Sequence, residues 1–282
     1  MQSNNPVFRR SEEFNQASPY GQTTYPGYAP SPQGHGGEPG YAPPTAPPTA
    51  GRMTIDSVVQ RSAMTIGLVI LMAAVTWVLT PDIDSEAAIG PLSAAILIGA
   101  GGAFVLSMVI SFKREVVPAL VLLFAALEGV ALGALSKLYD AMFPSEQFGG
   151  IVVQAVVGTF AAFAGTLAAY KFFEIKVGQK FRTFVIAAMF GMIALSMLEI
   201  VIHLFGGSGL GIHGFSTMGL LFAIAGLVLG VFMLILDFDF IEQGVRNGIP
   251  ERESWRAAFA LTVSLVWIYT NLLRILAILN QD

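Results

Sequence analysis

The chain has 282 residues, of which 54% are hydrophobic and 12% charged, and its net charge is −4. A soluble domain carries about 25% charged residues, so half that share, with a mean hydropathy of +0.67, excludes an ordinary soluble enzyme and indicates a polytopic membrane protein. The acidic balance leaves no basic surface for nucleic acid, and the lack of cysteine excludes disulfides, thiolate metal sites and cysteine nucleophiles.

Residues 1–51 form a block of their own. They hold ten of the fifteen prolines, seven glycines and four of the seven tyrosines, in stretches such as YAPPTAPPTA. Such a segment buries too little apolar surface to offset its chain entropy, so it is expected to be a disordered cytoplasmic tail, partly polyproline II. It contains no apolar core, and no signal peptide is expected. The folded part, residues 52–282, begins near Met53, where Thr54, Asp56 and Ser57 offer helix-capping side chains.

Seven runs of membrane-spanning length follow, at about 62–80, 92–112, 116–139, 151–173, 182–205, 218–240 and 256–279. At 1.5 Å per residue, roughly 20 residues cross the hydrocarbon core, and each run qualifies. Short connectors with turn chemistry, such as FPSEQFGG and GGSGLGIHG, give an all-α bundle of seven transmembrane helices. Thirteen of the fifteen Lys and Arg residues fall on the face that carries the N-terminus. The positive-inside rule makes that face cytoplasmic, and the expected location is the cell membrane, with the lipid bilayer as the chief partner. Gly129 with Gly133, and Gly226 with Gly230, have the spacing that lets helices approach closely, or simply reflect the small-residue content of apolar helices.

Charge inside such helices is costly and is kept for a reason. Glu128 sits at the midpoint of the third run, either as a proton-accepting or ion-contacting group or as a neutral packing residue. Asp237 closes a nineteen-residue apolar run, Met218 to Leu236, and Asp239 follows two residues later. At about 100° per residue the two are some 200° apart, so one helix cannot aim both at the bundle axis. Asp237 shares a face with Met233, Leu234 and Ile241, and Asp239 with Ile235 and Glu242. Either one faces the bundle and the other faces cytoplasmic water or another helix, or both are solvated caps at the membrane surface.

In the last run Ser264, Trp267, Asn271 and Arg274 are spaced by three, four and three residues and so share a face. A stripe of that polarity has no reason to face lipid and is expected to turn inward, toward the acidic groups. Glu199 and His203, four apart near the outer end of the fifth run, are secondary candidates for sharing a proton or a metal ion, or for an interfacial ion pair. No P-loop, H-E-x-x-H, G-x-S-x-G or dinucleotide fingerprint occurs, so neither enzyme chemistry nor a cofactor is expected.

The carboxylate-bearing end of the sixth helix, LILDFDFI, the end of the seventh, NLLRIL, and the ALEGVALGALSKLY stretch of the third resemble the Bax inhibitor-1 family of transmembrane proteins. The resemblance is to its bacterial branch with a proline-rich tail and spans about Met53 to Leu279. It implies a pH-sensitive passive leak for Ca2+. In that scheme two aspartates, on helices six and seven, share a proton and hold the pore closed on the cytoplasmic side. Asp237 matches the helix-six aspartate and Arg274 the helix-seven arginine. Ten residues before Arg274, where the second aspartate would stand, this chain has Ser264, and its second helix, 92–112, contains no acid. The resemblance thus gives an ion path or gate of Asp237, Asp239, Glu128, Ser264, Asn271 and Arg274, with Ca2+ possible at Asp237. An alternative is a non-conducting regulator that binds other membrane proteins, for instance a quality-control protease. A proton-coupled transporter has less behind it, since no internal repeat is evident.

Overall fold

The computed structural model describes residues 51–83, 86–145, 147–207 and 209–281. The tail expected over residues 1–51 lies outside them but for Gly51, which already belongs to the fold. The Gly51 carbonyl accepts from the Glu251 N–H at 2.8 Å, and Arg52 bridges to Pro250.

Seven helices follow: α1 (Ile55–Leu79), α2 (Glu86–Phe112), α3 (Pro118–Met142), α4 (Gly150–Phe172), α5 (Gln179–Leu204), α6 (Thr217–Asn247) and α7 (Glu253–Leu279). A single 3-10 turn, Gln147–Gly149, precedes α4. All seven are long and apolar enough to cross a membrane, and no strand occurs among the described residues.

Two helices outrun their apolar stretches. α1 starts seven residues earlier than predicted because Thr54 and Ser57 form a capping box, each side chain accepting the other's backbone N–H at 3.1 Å. Its polar first turns are paired rather than solvated: Ser57 bonds Ser254 at 2.7 Å, and Arg61 pairs with Glu251 at 2.5 Å beneath the Trp255 ring. α6 continues seven residues past Phe240 and stops only where Gly248 turns left-handed at φ 63°. At 31 residues it is about 46 Å long, well beyond the ~30 Å hydrocarbon core.

In lipid the tails are as apolar as leucine, so packing rather than hydrophobic burial holds helices together. The glycines show where. A Cβ on Gly129 would lie 2.5 Å from the Val69 carbonyl oxygen, and one on Gly133 would strike Ala73, so α3 presses its backbone on α1. Gly99 serves α2 against α3 in the same way, with Ala131 N 2.7 Å from where its Cβ would be, a contact the spacing argument did not single out. Gly226 and Gly230 receive Asn271 and Ile268 of α7. α7 is the centre of the bundle, packed by α6, α1, α4 and α3, whereas α2 leans on α3 and α5 mainly on α6. Ile98 of α2 and Phe190 of α5 accordingly face outward.

Candidate functional site

Because α6 runs on to Asn247, Asp237 is not at its end but ten residues inside it, about 15 Å along the axis. It sits on the α7 side of the helix. Asp237 Oδ2 accepts from the Ser264 hydroxyl at 2.5 Å, and Ser264 is only 1% exposed. Charge-assisted O–H···O bonds have this length. Asp237 Oδ1 makes no hydrogen bond among the described residues and opens on a fissure of about 290 Å³ between α5 and α6. Val185, Met189, Phe190, Ile193, Met233 and Leu236 line it.

Asp239 points elsewhere, as the 200° separation requires. It is buried, and its Oδ2 accepts from Arg182 at 2.9 Å and Gln243 at 2.7 Å. The alternative that both are solvated caps is thereby corrected: an ion pair to the start of α5 holds Asp239 under cover, so Asp237 faces α7 and Asp239 another helix. Nor do the two carboxylates share a partner. Glu242, one turn on, takes the Tyr170 hydroxyl at 2.7 Å and pairs with Arg246.

The α7 stripe does turn inward. Trp267 Nε1 donates to the Gly226 carbonyl at 2.8 Å, and Asn271 Nδ2 to the Trp267 carbonyl at 2.7 Å. Arg274 is buried as well, yet it meets no carboxylate among the described residues. It donates through Nη2 to the carbonyls of Ile212 and, at 3.0 Å, Gly214, while its buried Nε has no partner. Backbone carbonyls of the α5–α6 loop thus satisfy the charge that was expected to seek an acid.

Glu199 grips that loop from the other side. Its Oε2 accepts the Ile212 N–H at 3.2 Å and lies 3.3 Å from His213 Nδ1. The pairing predicted with His203 is corrected: His203 Nδ1 lies 2.9 Å from the Glu199 backbone carbonyl instead, because one helical turn brings the ring to the backbone and leaves the carboxylate facing the loop. No three His, Cys, Asp or Glu residues among those described are placed to hold a metal ion. Ca2+ takes 6–8 oxygens, and Asp237 with Ser264 offers one carboxylate and one hydroxyl. That donor set is too small for a Ca2+ cage.

Glu128 is half-buried and makes no hydrogen bond or ion pair among the described residues. It stands one turn from Phe124, whose ring meets Phe259 of α7 edge-on at 5.0 Å, and it is not joined to Asp237. Two buried polar features had drawn no attention from spacing. Lys137 donates to the last carbonyls of α1, Trp77 at 3.1 Å and Thr80 at 2.6 Å, and pairs with Asp82 at 2.9 Å, complementing a helix C-terminus. Ser136 bonds Tyr269 at 2.6 Å between α3 and α7. A lysine inside an apolar run was itself the visible signal for the first.

A family model described as Bax inhibitor 1 like matches residues 5–281. The chain belongs to the Bax inhibitor-1 family. No curated protein matches it. Within this Bax inhibitor-1 chain, Ser264 stands at the position where the resemblance leads one to expect a second aspartate, and it does face Asp237. The contact between α6 and α7 at this point is made by a hydroxyl and a carboxyl group.

Proposed function

We propose that the protein is a passive leak pathway for cations, with Ca2+ as the expected substrate and Asp237 as the gate. The observation that carries this reading is the bond from Ser264 to Asp237, which ties α6 to the central α7 at depth in the bundle. A carboxylate kept inside a membrane helix is costly and suits an ion path. Its charge attracts a cation; its bond to Ser264 holds the two helices together. The stripe continues through Asn271 to Arg274, where the guanidinium, while bound to the loop carbonyls, opposes cation entry from the outer end.

A hydrogen bond to a charged group contributes about 1.5–3 kcal/mol. If it stabilises only the closed state, its loss changes the open fraction roughly ten- to hundredfold. Calcium flux into proteoliposomes tests this. Asp237→Asn keeps an acceptor for Ser264 but removes the charge, and flux is expected to fall by about tenfold or more. Ser264→Ala keeps the charge but unties the helices, and the basal leak is expected to rise. No flux through any of the three proteins sinks the reading.

A further inference from the structure

The fissure beside Asp237 has two properties that a passing metal ion does not explain. Its walls are apolar, formed by Met189, Phe190 and Ile193 on α5 and Met233 and Leu236 on α6, and its polar content is the Asp237 carboxylate. It also opens sideways, since Ile186, Phe190 and Ile193 are 48%, 69% and 39% exposed on the surface that meets lipid. At the inner end Asp237 Oδ1 has no hydrogen-bond donor, Ser264 being engaged with Oδ2. Arg182 on α5 is committed to Asp239, and no Lys, Arg or His among the described residues forms an ion pair with Asp237.

A hydrated inorganic ion would lose its water against such walls and find one carboxylate in return, far short of the 6–8 oxygens Ca2+ takes. An anion is repelled, and a neutral hydrocarbon leaves Oδ1 unpaired, which is costly at this depth. A ligand with an apolar body and one ammonium group satisfies both the walls and the charge. We propose that the α5–α6 fissure is a binding site for a small amphipathic amine, entered from the bilayer, with the ammonium on Asp237 Oδ1 and the apolar body between Phe190 and Leu236. It rests on the carboxylate used in the leak reading but not on conduction, so binding is measured without flux and either idea can fail alone.

The test uses the full chain in detergent at mildly alkaline pH, with 1-aminoadamantane as the probe and 1-adamantanol as its neutral isostere. The amine is expected to raise the melting temperature saturably, and the alcohol to give no saturable rise. Asp237→Asn is expected to weaken the amine by about tenfold or more, the scale of a charge-assisted contact. Ile193→Trp, at a lipid-facing position, is expected to fill the fissure and abolish binding while Asp237 remains. Equal stabilisation by the alcohol, undiminished affinity in Asp237→Asn, or binding that survives Ile193→Trp would each overturn the proposal.

Discussion

Ser264 donates to Asp237 where a second carboxylate would repel it. Two close carboxylates must share a proton to come together, whereas a hydroxyl can donate to a neighbouring carboxyl oxygen, so the α6–α7 contact is made without a second acid. Arg274 shows the same economy, its charge met by carbonyls of the 212–214 loop. Arg274→Met is expected to cost about 1–3 kcal/mol, the scale of leaving buried polar groups unpaired, and to speed hydrogen exchange across residues 209–216. Unchanged exchange there would show that the loop holds without it. The facing of Ser264 was legible in the sequence, because ten residues along a helix fix a position relative to Arg274. The partners of Arg274 were not, since backbone carbonyls carry no residue-type signal. Nor was the Arg182–Asp239 pair, whose members come from different helices and meet only once α5 leans on α6.

At the scale of the helices, backbone approach decides the architecture. Gly133 touches Ala73 through space that a side chain cannot share, while Gly67 has nothing near it. Gly133→Leu is expected to destabilise the bundle by about 3 kcal/mol or more, as overpacking against backbone does, and Gly67→Leu to change its melting temperature little. Equal effects of the two would mean that α1 and α3 are not held by this contact. The small-residue spacing could be read from the chain, but which helix each pair touches could not. Helix ends were misjudged for a related reason. Apolar runs stop at Phe240 and begin at Ser62, whereas the helices continue through Glu242, Arg246, Ser57 and Arg61, whose polar groups are paired across the basic face.

For the whole molecule, the charge bias predicts one orientation, and the lack of native cysteine makes it easy to check. Lys113→Cys is expected to react with an impermeant maleimide only after the cell is opened, and Leu210→Cys, 45% exposed in the α5–α6 loop, to react from outside. The reverse pattern would invert the protein and put the Asp237 side of the bundle outside. The seven-helix count and the connectors were legible because apolar length and basic asymmetry are properties of segments. The central place of α7 and the outer places of α2 and α5 depend on which faces meet, and no segment states that alone. The outer place of α5 matters for mechanics. It is fastened near one end by Arg182 to Asp239 and near the other by Glu199 to the Ile212 backbone N–H and the His213 ring, with the fissure between. α5 is thus fastened near both ends, packs Val185 and Met192 against α6, and turns Ile186, Phe190 and Ile193 outward along the fissure. One wall of the fissure beside Asp237 is therefore a peripheral helix, so any widening of it requires α5 to shift against α6 rather than a rearrangement of the central α7.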